Sequence, residues 1–169
     1  MRFWTFNIIL TFAFWNMGCA TKQHKLPIYE WKQNREFIKK KELKRLDMQP
    51  RSTNGYGKTG YYEIVYEDVF LEYQCYLTYW FLIDTLTFVS YSCDNPGIPE
   101  AEFKKSILQK LDQLYLTRKS VTLGNNRYEY YHQDDSHVYF RMTKDRGVSR
   151  ANVVYSLFEH KTNRSFEIM

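Results

Sequence analysis

Three groups of residues have the types and spacing that chemistry requires. His132-Gln-Asp-Asp-Ser-His137 places two imidazoles and two carboxylates within six positions. That donor set suits zinc or copper, and a tight turn at Asp134-Asp135 would set the two His across from each other. A working metal site, however, holds three or four ligands fixed by surrounding hydrogen bonds, and a hairpin tip supplies neither. His132 and His137 are therefore the metal candidates of the chain, and the expectation is a solvated turn with no metal and no other cofactor. Glu100 and Glu102 are closely spaced carboxylates, but they follow Pro99 at a helix start, where negative charge complements the helix dipole. A Ser or Cys nucleophile needs a base and a group that orients the base. The sequence contains no Gly-x-Ser-x-Gly elbow and no phosphate-cradling Gly loop, and His24 and His160 have no partners nearby in sequence. No catalytic residue is assigned, and a non-enzymatic domain is expected.

The elements that would position these residues follow from hydrophobic periodicity. Asn34 can cap a helix running to about Asp47, although Phe37, Ile38, Leu43 and Leu46 make only a ragged apolar stripe. Gln49 to Gly60 is rich in Gly, Pro, Ser and Asn and reads as a loop. From Tyr61 the chain alternates large and polar residues. Tyr62, Ile64 and Tyr66 predict one strand, ended by a turn at Glu67-Asp68. Val69 to Ile83 predicts a second and Thr85 to Cys93 a third, with a reversal at Asp84-Thr85. Asp94 to Pro99 is a break. Phe103, Ile107, Leu108, Leu111, Leu114 and Tyr115 then recur at helical spacing, which predicts a helix over about 99–116. Arg127–His132, His137–Thr143 and Ala151–Glu159 predict three more strands. The 18% aromatic content with 15 Tyr fits pleated, half-buried surfaces. The expected fold is α+β: an antiparallel sheet of five to six strands with one main helix on one face. One domain is expected, spanning 61–169, after a basic tether with a short helix at 19–60 and a leader at 1–18.

The leader begins with Arg2, continues with an apolar run from Trp4 to Trp15, and ends in Asn16-Met-Gly-Cys-Ala20. Charge, short apolar core and small residues form the layout of an export signal. The run is shorter than the roughly 20 apolar residues a spanning helix needs. Gly18-Cys19 at its end resembles the lipobox of bacterial lipoproteins, in which cleavage precedes a Cys that carries lipid. This chain departs from the family's pattern three positions before the Cys, where Asn16 stands in place of the preferred Leu. The resemblance implies lipidation at Cys19 and, since Ala20 rather than Asp follows, an outer-membrane location. Gly18 and Ala20 also satisfy the small-x-small rule for ordinary cleavage after Ala20, which would give a periplasmic or secreted protein. Asn163-Arg-Ser165 matches a glycosylation acceptor, but that matters only in a eukaryotic secretory pathway.

With Cys19 lipidated or removed, Cys75 and Cys93 are the remaining pair. An oxidising compartment permits a disulfide. The two are equidistant from residue 84, the expected hairpin tip, so a bridge is in reach if their side chains share a face. The other outcome is two buried thiols.

The net charge of +5 is uneven. Lys22 to Lys58 carries eleven Lys and Arg against four acidic residues, a balance of +7, whereas Tyr61 to Met169 has a balance of −3. Basic residues after a lipid anchor would lie near lipid head groups, each contributing about 1 kcal/mol at an anionic surface. A nucleic-acid partner is not expected for an exported protein. The functional expectation is an envelope lipoprotein whose small domain is a non-enzymatic protein-binding or structural module, with another envelope protein as its partner. The alternatives are a secreted or periplasmic enzyme, or a periplasmic immunity or inhibitor protein.

Overall fold

Alternating large side chains make two long antiparallel meanders, and a computed structural model shows how they join. It describes residues 30–115, 117–123, 126–133 and 136–156. The leader at 1–18, Cys19, the Asp134-Asp135 tip and the tail from residue 157 lie outside the described residues. The elements are α1 (Arg35–Leu46), β1 (Ser52–Tyr56), a 3₁₀ turn (Gly57–Thr59), β2 (Tyr61–Phe70), β3 (Tyr73–Leu82), β4 (Thr85–Asp94), α2 (Glu100–Leu114), β5 (Arg118–Leu123), β6 (Asn126–Gln133), β7 (Ser136–Asp145) and β8 (Val148–Ser156).

The strands form a single sheet in the order β1-β2-β3-β4-β8-β7-β6-β5, with every pairing antiparallel. Each half is one helix followed by a four-strand meander. The halves abut along β4 and β8, where Tyr91 faces Val153. The hairpin joining β3 to β4 turns at Ile83-Asp84, and the one joining β7 to β8 turns at Arg146-Gly147. In both turns both residues have positive φ, the geometry whose twist suits a two-residue hairpin.

Both helices contribute to one core on the same sheet face. That core takes Ile64, Tyr66 and Phe70 from β2, Leu77, Tyr79 and Phe81 from β3, and Val138, Phe140, Val153 and Tyr155 from the second half. Phe103, Ile107 and Leu111 of α2 enter it fully buried, whereas Ile38 is the one fully buried apolar residue of α1. A fully buried large apolar side chain contributes about 1.5–3 kcal/mol, so α2 is much the better anchored by apolar burial.

The α+β class and the antiparallel sheet are present as expected, but among the described residues the strands number eight rather than five to six, and there are two helices. The two additional strands are β1 (Ser-Thr-Asn-Gly-Tyr) and β5 (Arg-Lys-Ser-Val-Thr-Leu), at the two edges of the sheet. Edge strands face water, and polar or charged residues there discourage further pairing. These sequences therefore lack the apolar alternation of an inner strand. The turn expected at Glu67-Asp68 is absent because β2 runs through it to Phe70 and turns at Leu71-Glu72. Asp68 is kept in the strand by a cation, described below. Within the stretch 19–60, Asn34 caps α1 by accepting from the Phe37 amide at 2.9 Å, and β1 adds to the sheet. Trp31 and Gln33 also dock: Trp31 Nε1 donates to Ser136 Oγ at 3.2 Å, and the Leu86 amide donates to the Gln33 carbonyl at 2.9 Å.

Candidate functional site

The sheet has two unlike faces. One carries both helices. On the other, no helix lies among the described residues, and the pairing register places Tyr56, Glu63, Tyr76, Trp80, Phe88, Tyr128, Tyr130, His132, His137, Tyr139 and Arg141 there. Trp80, Phe88, Tyr128, Tyr139 and Val154 are buried, whereas Tyr56 and His132 are exposed and Tyr130, His137 and Arg141 half-buried. Tyr56 stacks on Trp80 with ring centroids 6.1 Å apart.

The densest group lies on β6 and β7. His132 and His137 are cross-strand partners with rings 5.3 Å apart. The hydroxyl of Tyr130 and Nδ1 of His137 share a hydrogen bond of 2.9 Å. Tyr130 also packs against Tyr139 at 5.3 Å, and Tyr139 meets Tyr128 edge-on at 6.4 Å. Arg141 donates to the Tyr128 hydroxyl at 3.0 Å, its guanidinium 5.4 Å from that ring. Aromatic faces, imidazoles and a guanidinium side by side can stack on flat groups and hydrogen-bond polar ones, as binding surfaces do. Among the described residues no three His, Cys, Asp or Glu side chains gather as metal ligands.

Cys75 and Cys93 are bonded to each other, with S–S at 1.99 Å. They are register partners on β3 and β4, on the face that carries the core. The bridge closes a loop over a sequence separation of 18, which adds about 3 kcal/mol in the chain-entropy account. Beside it opens a cleft of about 540 Å³ lined by Glu67, Glu72, Gln74, Tyr76, Asp94 and Pro96, among others. Each carboxylate of this cleft pairs with a cation: Arg51 with Glu67, Lys110 with Glu72, and Arg150, which also binds Asp145, with Asp94. Neither His132 nor His137 lines it.

Glu100 does more than complement the dipole of α2. Its carboxylate accepts from the Ser149 hydroxyl at 2.5 Å, which fixes the helix start to β8. At the other end of α2, Tyr131 donates to Asp112 at 3.0 Å, and the Tyr115 and Tyr155 hydroxyls meet at 3.0 Å. Burial pushes Tyr115 up to about 12 and Tyr155 well above the ordinary phenol value.

Sequence reasoning did not find the polar cluster beneath α1. Glu42 is fully buried and is held by Arg45, whose Nη2 lies 2.6 Å from Glu42 and 2.8 Å from Asp68. Tyr79 donates to Glu42 at 2.9 Å. Burial alone would lower the Arg45 pKa, but hydrogen bonds to Glu42 and Asp68 outweigh it and hold the pKa above its usual value. Tyr66, alongside, is pushed up to about 12, first by burial and then by the Glu42 charge. The (i, i+3) spacing of Glu42 and Arg45 was visible in sequence, but Asp68, read as part of a turn, hid the third member.

No protein-family model matches the chain, and no curated protein or solved structure matches it.

Proposed function

We propose that this chain is an exported, lipid-anchored envelope protein whose α+β domain binds another envelope protein through the sheet face opposite α1 and α2. The observation that carries the reading is how the cysteines are disposed. Cys75 and Cys93 are joined, and Cys19 stands apart, directly after a short apolar run and a Gly. A disulfide suits an oxidising compartment, and a lone Cys after such a leader suits lipid attachment. The basic stretch from Lys22 to Lys58 favours a position close to anionic head groups. On the face opposite α1 and α2, Tyr56, Tyr130, His132, His137 and Arg141 supply aromatic and guanidinium contact area. Tyr and Arg are the residue types enriched where proteins meet.

The mechanism is passive: the lipid sets location and the sheet face sets partner. Crosslinking in intact envelopes, followed by pull-down of the chain, tests the binding role. A reproducible partner lost on Tyr130→Ala with Arg141→Ala is the expected result. Recovery of the chain alone, at every crosslinker length, would contradict it.

A further inference from the structure

The two helices carry very different charge. Within α2, three Lys are matched by three acidic residues, whereas α1 holds six Lys and Arg against two Glu, a net +4. The cations of α1 divide by direction. Arg35, Lys39 and Arg45 are engaged with Asp84, Glu36 and the Glu42–Asp68 pair. Lys40, Lys41 and Lys44 are exposed and form no ion pair among the described residues.

These three lysines share a stripe with Phe37. Positions 37, 40, 41 and 44 follow the i, i+3, i+4, i+7 spacing of one helix face, turned away from buried Ile38 and Glu42. Phe37 is 38% exposed on that stripe, and the Lys41 ammonium lies 5.4 Å from its ring. Three ammonium groups gathered on one helix face, with no ion pair among the described residues, are what a basic patch presents to the phosphates of anionic lipid. A balanced helix such as α2 offers no such preference.

We infer that the Lys40–Lys41–Lys44 stripe of α1 docks the domain on an anionic phospholipid surface. The inference rests on the anchoring proposed above, which brings the domain within reach of a bilayer. The occupant follows from charge complementarity. Each lysine near such a surface multiplies the docked-to-undocked ratio about fivefold. Docking through α1 fixes the orientation of the sheet relative to the membrane.

Amine footprinting of the full chain reconstituted in vesicles tests this. Zwitterionic phosphatidylcholine vesicles are compared with vesicles containing one quarter phosphatidylglycerol, and labelling is read by mass spectrometry at each lysine. The expected result is several-fold slower labelling of Lys40, Lys41 and Lys44 in the anionic vesicles alone, with exposed Lys104, Lys105 and Lys119 unchanged. Equal labelling in both vesicles overturns the inference, as does protection that extends equally to Lys104 and Lys105. Protection already present in detergent overturns it too, because a protein contact would then cover the stripe. A chain that floats with vesicles but leaves the stripe unprotected defeats the α1 inference alone. A chain that does not float at all defeats the anchoring reading with it.

Discussion

The two helices lie on the same sheet face and open matching halves of the chain, yet they are held by different forces. Helix α2 is fixed by Phe103, Ile107 and Leu111, all fully buried, and by polar ties at both ends: Glu100 to Ser149, Tyr131 to Asp112. Helix α1 has Ile38 and a buried cluster of Glu42, Arg45, Asp68 and Tyr79. The first arrangement draws on apolar burial, which is non-directional and additive over area. The second depends on geometry, because each buried charge is costly unless its partner stays in place. The difference teaches that one architecture can be assembled twice by unlike physics. It also leaves α1 free to turn its lysines outward, whereas α2 as a whole is neutral.

The largest effect should come from the apolar helix. Phe103→Ala is expected to cost about 3–5 kcal/mol, the usual range for emptying a buried aromatic site, read as a fall in the denaturant midpoint. Arg45→Ala should follow at about 3 kcal/mol, the lower end for breaking a buried pair, since Arg45 keeps part of its surface in water. It leaves Glu42 and Asp68 facing each other without a cation. If Arg45→Ala proved silent while Phe103→Ala unfolded the chain, the ionic account of α1 would fail.

Alkaline pH should act on the buried phenols, Tyr66 in the first half of the chain and a cluster of three in the second. Tyr115 and Tyr155 are raised by burial, and Tyr131 by burial together with Asp112. Their neutral forms are favoured in the folded state, so the stability they contribute is complete below the ordinary phenol pKa of about 10. It is lost as pH rises from there through the folded values. Tyr155→Phe, which removes the deepest of these phenols, should shift the alkaline midpoint upward in near-UV circular dichroism. An unchanged midpoint would detach that transition from this cluster.

At the acid end the sign reverses. The Arg35 hydrogen bond holds Asp84 below the usual carboxylate range, so this contribution is present above about pH 4 and is lost as pH falls. Both groups are substantially exposed, which keeps the effect small. Asn34→Ala should be modest too, about 1 kcal/mol for losing a helix cap, visible as faster amide exchange in the first turn of α1.

Legibility in the sequence followed the same division. The apolar stripe from Phe103 to Leu114 announced α2 to within a residue or two, because burial writes a period of 3.6 into the chain. The inner strands announced themselves by alternation for the same reason. Helix α1 gave only a cap at Asn34 and a ragged stripe, since its fixing contacts are carboxylates and a guanidinium that look like surface residues until folded. β1 and β5 were invisible because an edge strand has no need of apolar alternation. Of the candidate groups, the Cys75–Cys93 bridge was legible from hairpin symmetry and the facing of His132 and His137 from the turn that Asp134-Asp135 predicts. The surrounding ladder of Tyr128, Tyr130, Tyr139 and Arg141 was not, because nothing local shows which face of a strand will carry the helices.

We propose Cys19 as the anchored first residue of the mature chain, and the mass of the mature amino terminus is the direct test. The account predicts a chain beginning at Cys19 that carries lipid on both its sulfur and its amino group. An unmodified chain beginning at Thr21, or one that keeps Met1, would contradict it.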